Sequence, residues 1–381
     1  MRILKLILIV GAVINPLSIS NIQAQSFAKQ YWNKLVNDTS DVAKPQLLIY
    51  PTLAYAPETS WEFGLSSLYV YYAKRDTSNR LSEINGFTFL TLENQYGLWF
   101  DHAIYSDRNT WFFLGRIRLQ SFPLFYHGIG MQTPESYIAQ VEVNQIAIKE
   151  RILRQLHNNL FIGFEIDYQR LSKVNFIWEE SNEASFEFPL GSNGLSSIGL
   201  GFGVVHDDRH NVLNVRKGLF SEQAMLHYDA LWGSTYTFTS YLSDTRLYRP
   251  IGKQNVLAMQ LFGQFNTGDV PFNQLALMGG ESIMRGYYYG RYRDRNQVAT
   301  QIEFRFLPIS LHFTNRIGAA VFAGTGTVFE QWNEVNSSTF VFSGGAGLRF
   351  LLFPKKDIWT RLDFAFTKEG NGIYLFIGEA F

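Results

Sequence analysis

Apolar and polar residues alternate one by one along most of the chain beyond residue 45. In Val256–Phe265, Leu257, Met259, Leu261 and Phe265 share one face, while Gln260 and Gln264 lie on the other. Val298, Thr300, Ile302, Phe304 and Phe306 oppose Gln297, Gln301, Glu303 and Arg305. Phe340, Phe342, Leu348 and Phe350 oppose Ser343, Gly345, Gly347 and Arg349, and Ile358, Leu362, Phe364 and Phe366 oppose Arg361 and Asp363. A period of two marks strands, and charges confined to one face fit lipid on one side and a wet lumen on the other. A charge on the lipid face near the midplane would cost ~2–4 kcal/mol. A soluble β-sandwich alternates too, but its outer faces would leave these rows of Phe in water. Such segments start near Leu47, Trp61, Leu81, Tyr96, Asn109, Tyr137, Asn158, Ser196, Gly218, Thr235, Asn255, Gln297, Arg316, Thr339, Asp357 and Gly372. That is about sixteen strands, an even number as single-chain bacterial barrels require. The pattern predicts an all-β fold, a transmembrane antiparallel β-barrel over residues 46–381.

The first residues follow a different pattern. Arg2 and Lys5 precede an apolar run from Leu6 to Ile14, and Ile22-Gln23-Ala24 places a small residue at a cleavage position. This reads as a signal peptide over residues 1–24, followed by a short periplasmic segment over 25–45. A spanning anchor would need ~18 residues without the interruption at Asn15 and Pro16.

Composition narrows the function. Lys+Arg and Asp+Glu are equal at 33 each, so no basic field exists to hold nucleic acid. Mean hydropathy is −0.07, too polar for a helical membrane bundle. The 33 Phe, 20 Tyr and 8 Trp instead suit a barrel with aromatic girdles. There is no cysteine, hence no disulfide, thiolate metal site or cysteine-linked lipid.

Between two alternating segments lies Met278-Gly-Gly-Glu-Ser-Ile-Met-Arg285-Gly286-Tyr287, a glycine-punctuated stretch continuing through Arg291, Arg293, Asp294 and Arg295. With the N-terminus in the periplasm it is the sixth outer loop, between the eleventh and twelfth strands. Arg285-Gly286-Tyr287 resembles the lumen-loop motif of the BamA/TamA superfamily, the outer-membrane assembly and translocation barrels also called the bacterial surface antigen family. Asp207, Arg209, Asn211 and Gly218 resemble that family's periplasmic turn before the ninth strand. Gly378 and Phe381, in Phe376–Phe381, resemble its final strand and C-terminal aromatic signal. The resemblance implies a long sixth loop folded into the lumen, anchored by Glu303 at the position where the family has a glutamate facing the loop arginine. Two departures stand beside it. Gly324 occupies the place of a family aspartate, and residues 25–44 are too few to form a POTRA module, so a barrel-only member is expected.

Other constellations are weaker. His206-Asp207-Asp208-Arg209-His210 would spread its side chains in a turn, so no metal is expected there, and no cofactor elsewhere. Gly199–Gly203 and Gly344–Gly347 interrupt strand patterns with no helix after them, which argues for close strand packing over phosphate binding. No spacing pairs a nucleophile with a base, so no enzyme is expected. Arg291, Arg293 and Arg295 read as a solvated loop face. Pro51 in the first strand and Gly378 in the last should thin pairing at the seam where the ends meet. The function expected is assistance to outer-membrane protein assembly or translocation, with the outer-membrane bilayer and protein partners supplying the missing POTRA role. The alternatives are a scaffold in an outer-membrane complex and a passive pore.

Overall fold

The computed structural model describes residues 41–56, 60–92, 94–179, 187–209 and 211–381. The signal segment 1–24, most of the segment 25–45, and His210 lie outside the described residues. The chain forms an antiparallel meander of β1 (Gln46–Ala56), β2 (Ser60–Tyr72), β3 (Leu81–Thr91), β4 (Tyr96–Tyr105), β5 (Trp111–Ser121), β6 (Ala139–His157), β7 (Leu160–Trp178) and β8 (Leu195–Asp207). It continues through β9 (Gly218–Tyr228), β10 (Phe238–Ile251), β11 (Asn255–Gly268), β12 (Asn296–Phe306), β13 (Ile317–Phe329), β14 (Val341–Phe353), β15 (Ile358–Thr367) and β16 (Gly370–Ile377). Each strand pairs with the next in sequence. The sixteen starts read from alternation lie within three residues of the observed ones.

Two features of the wall escape the alternation. Pro123 cannot donate to a ladder, so the line of β5 breaks and resumes as the short strand Leu124–Tyr126, which also pairs with β6. β6 and β7 have 19 residues each, about twice the ~9–11 needed to cross a bilayer, so their hairpin projects beyond it.

The alternation sorts residues as lipid and lumen would. In β12, Gln297, Gln301, Glu303 and Arg305 are buried inside while Ile302 is exposed outside; in β14, Phe342 and Leu348 face out and Arg349 is buried. Phe164, Phe366, Ile373 and Leu375 join the outward apolar surface, which is stable only against lipid. The opposite inner wall is also laced with charge: Arg151 bridges Glu165 and Glu222, each at 2.6 Å. Ile358 corrects the facing read for β15. It is buried in an interior cluster with Leu48 and Leu213, because β15 starts beside a register shift in its pairing with β14 and directly after Asp357, whose φ is 52°.

Among the described residues no register joins β1 to β16. Pro51 sits within β1 opposite Leu65 of β2. The ends meet through side chains, with Leu48 of β1, Ile358 of β15 and Ile377 of β16 in one apolar cluster. The last strand stops at Ile377, so neither Gly378 nor Phe381 belongs to it. Gly378 takes φ 88°, a left-handed value that needs glycine, and donates its amide to the Trp359 carbonyl at 2.7 Å. The tail then turns into the lumen, where Phe381 is buried against Tyr248, Val256 and Ala258.

Candidate functional site

The loop between β11 and β12 is pinched by a two-stranded ribbon, Ala276–Met278 with Tyr292–Asp294. Between those arms the chain descends along the inner wall. Gly286 adopts φ 103° and donates its amide to the Tyr374 hydroxyl at 2.9 Å. A Cβ there would sit 2.6 Å from Thr367 Cγ2, so only glycine lets the backbone lie this close to β15 and β16. Tyr287 packs with Met278, Met284 and Tyr292 and donates its hydroxyl to the Phe342 carbonyl at 3.2 Å. Burial pushes its phenol up to about 12, so it stays a hydrogen-bond donor at neutral pH.

This descent carries Arg285 into a fully buried position. Its Nη2 donates to Glu303 Oε2 at 2.6 Å and its Nη1 to Asp363 Oδ2 at 2.6 Å. The guanidinium carbon lies 3.5 Å from the centre of the Phe322 ring, a cation–π contact in a desolvated setting. Gly324 shares that inward face of β13 but has no side chain to offer, and Asp363, two strands further on, provides the second carboxylate. Alternation in the sequence places Asp363 on the inner face but does not connect it to the loop.

The pair is one part of a larger network. Glu303 also accepts from Arg305 Nε at 2.7 Å, its neighbour two residues along the same strand face. Asp363 accepts from Arg349 at 2.5 Å and Arg361 at 2.8 Å. Glu379, on the inturned tail, accepts from Arg349 Nε at 2.9 Å, and Arg305 Nη2 donates to a main-chain oxygen of the last residue, Phe381, at 3.0 Å. Wall residues hold the loop backbone as well: Arg361 donates to Glu281 O and Gln301 to Ser282 O. Buried ions gain little net stability over apolar packing, yet deleting one partner costs heavily. Such a network therefore fixes one geometry and penalises departures from it. Glu379→Gln keeps the size and removes one charge. It is expected to lower stability by about 1–3 kcal/mol, read as a shift in the urea midpoint of the folded barrel; an unchanged midpoint would show that the tail adds nothing to the lock.

The upper loop crosses to the far wall. Phe125 N donates to the Tyr288 hydroxyl at 3.3 Å, and Gly130 N to the Arg293 carbonyl at 2.8 Å. Arg291 pairs with Glu369 at 2.5 Å and donates to Thr133 Oγ1 at 2.8 Å. Tyr292 donates its hydroxyl to the same Glu369. Arg291 and Arg293 are each buried, which corrects their reading as a solvated face; Arg295 stays half-exposed beside Glu330. His127, burial and the nearby Arg291 and Arg293 acting together, is pushed down to about 3 and packs neutral.

The periplasmic motif assembles at the other end. Asp207 is buried and accepts from Arg209 Nε at 2.9 Å and from the Tyr105 hydroxyl at 2.9 Å, with Arg80 3.1 Å away. Arg209 lies over the Phe220 ring. Gly218, at φ 131°, opens β9. Asn211 is turned elsewhere, donating to the Lys356 carbonyl at 2.8 Å.

A sixteen-stranded meander with an apolar outer face, a charged inner wall and an outer loop pinned inside defines a transmembrane β-barrel of the outer-membrane type. The chain belongs to the Omp85 superfamily: the model described as the Omp85 superfamily domain matches residues 92–381. No curated protein is significantly similar in sequence. Among solved structures, BamA of Haemophilus ducreyi lacking POTRA domains 1–3 aligns at a TM-score of 0.53 and 14% identity, over 88% of this chain and 69% of that one. CdiB of Acinetobacter baumannii aligns at 0.54 and 10%, over 88% and 65%. CdiB of Escherichia coli aligns at 0.55 and 8%, over 89% and 62%. The chain thus spans less than two thirds of either CdiB, and at these identities the likeness is one of fold.

Proposed function

We propose that this chain resides in the bacterial outer membrane and assists the insertion or translocation of other proteins there, working with protein partners. Its described residues hold the barrel and its loops. A periplasmic docking module would come from a partner or from residues outside those described. The observation that carries the reading is the seam. Every other neighbouring pair of strands has a ladder, whereas among the described residues no ladder joins β1 to β16, and Leu48 and Ile377 share one apolar cluster. An edge strand exposes unpaired N–H and C=O groups, and in lipid those groups demand partners. A seam of this kind is the cheapest place for the wall to part and for another strand to pair. The role is non-enzymatic and needs no cofactor.

A scaffold reading draws on a different observation. The loop lock joins β12, β14 and β15 through buried charge, and that rigidity would suit a barrel which only holds partners. Reconstitution separates the readings. With the purified barrel in phospholipid vesicles, folding of an unfolded client barrel should accelerate, and a cysteine crosslink between β1 and β16 should abolish the acceleration. Co-purification of partners without acceleration would favour the scaffold, and steady conductance a pore.

A further inference from the structure

The described stretch 211–217 of the connection between β8 and β9 does not simply turn. It runs across the periplasmic opening and packs three successive apolar side chains on three different parts of the wall. Val212 lies against the cluster containing Tyr105 and Phe220. Leu213 lies among Leu48, Phe353 and Ile358 at the seam. Val215 lies against Tyr248 and the tail residue Phe381.

Polar contacts fasten this crossing to both flanks of the seam. On the last-strand side, Glu379 N donates to the Leu213 carbonyl at 3.2 Å. Arg216 grips Asp357, in the β14–β15 turn, with Nε at 2.5 Å and Nη2 at 2.9 Å, and Asn214 adds a bond at 2.8 Å. Asn211 holds the adjoining Lys356 carbonyl. The Lys356 side chain is buried, and its ammonium donates to the carbonyls of Val42 at 2.7 Å and Lys44 at 3.1 Å. Those two residues lie just ahead of β1, whose ladder among the described residues is with β2. A charge-assisted bond to backbone, made by a lysine whose turn is itself clamped, therefore spans the gap that the sheet leaves open.

We propose that residues 211–217 of this connection, acting with Lys356, are a latch that holds the seam between β1 and β16 shut from the periplasmic side, and that displacing them frees β1. The placement suits control from the periplasm: a chain or partner entering the lower mouth meets this crossing first. As a device for opening, it rests on the proposed role of the seam; as a clasp on β1 it stands by itself, and its test does not involve transport.

The test is hydrogen exchange of the β1 amides, Leu47 to Tyr50, in the purified barrel embedded in nanodiscs. Lys356→Met should speed their exchange about tenfold or more, the loss expected for a charge-assisted bond, while β6–β9 amides are unchanged. Lys356→Arg should restore protection. Unaltered β1 exchange in a folded Lys356→Met barrel would overturn the latch. Should that variant not fold, Arg216→Gln, at a half-exposed position, releases Asp357 and is read the same way. Faster β1 exchange without any change in client folding would leave the latch standing and count against seam opening as the working step.

Discussion

Glu303→Ala is expected to destabilise the folded barrel by about 3–5 kcal/mol, and Arg285→Ala by clearly less. The lock contains four guanidinium groups, from Arg285, Arg305, Arg349 and Arg361, and three side-chain carboxylates, from Glu303, Asp363 and Glu379. Without Arg285, three of each remain, and every carboxylate keeps a guanidinium within 3 Å. Without Glu303, four guanidiniums face two carboxylates in a site closed to water. Among the side chains, removing Glu303 leaves two guanidiniums in excess, whereas removing the loop arginine evens the count; the main-chain oxygen of Phe381 beside Arg305 is common to both variants. Urea unfolding in vesicles, followed by heat-modifiable migration, measures both losses. The double variant should lose less than the sum, by at least ~1 kcal/mol for groups in direct contact. Strict additivity would mean that the loop is held by its aromatic packing and not by this pair; equal single losses would overturn the charge-count argument.

How far the sequence reveals this arrangement depends on the kind of question. Strand existence and facing are local properties. One-residue alternation brought all sixteen starts close, the largest offset being at β10. There an outer turn closed by Asp229, whose side chain accepts from Leu231 N, delays the strand to Phe238. The length of the β6–β7 hairpin is not local, because alternation continues past the lipid boundary without marking it. Arg291 and Arg293 look like any polar loop, and what buries them comes from elsewhere: Glu369 after β15 and Tyr126 beyond β5. Gly378 was legible as a position that matters, but as a missing side chain in a strand. Its actual use is the positive φ that turns the tail inward. Lys356 carries no signal, since the described partners of its ammonium are the carbonyl groups of Val42 and Lys44.

Asp363 lies between these cases and supports the second large expectation. Its inward facing followed from alternation in β15, but strand facing gives a direction, not the level at which charges on staggered strands meet. In the superfamily pattern the carboxylate would stand at position 324 on β13. Here that position is glycine; Asp363 on β15 offers a carboxylate to Arg285, and the Phe322 ring lies beneath the guanidinium. Asp363→Ala removes a partner from Arg285, Arg349 and Arg361 together, so a loss of about 3–5 kcal/mol is expected. If the two positions are alternative solutions to one electrostatic requirement, Gly324→Asp should recover at least ~1 kcal/mol of it. Space there is tight: a Cβ at position 324 would lie 3.2 Å from Gln301 Cβ and 3.3 Å from the Thr300 carbonyl. The neighbours must therefore give by a few tenths of an ångström, and recovery should be partial. In the otherwise native chain the same substitution brings only this crowding and should be neutral or mildly destabilising. The decisive comparison is the urea midpoint of Asp363→Ala with and without Gly324→Asp. A further drop equal to the cost of Gly324→Asp alone would show that the two sites are not interchangeable, and that Asp363 serves Arg349 and Arg361 without locking the loop.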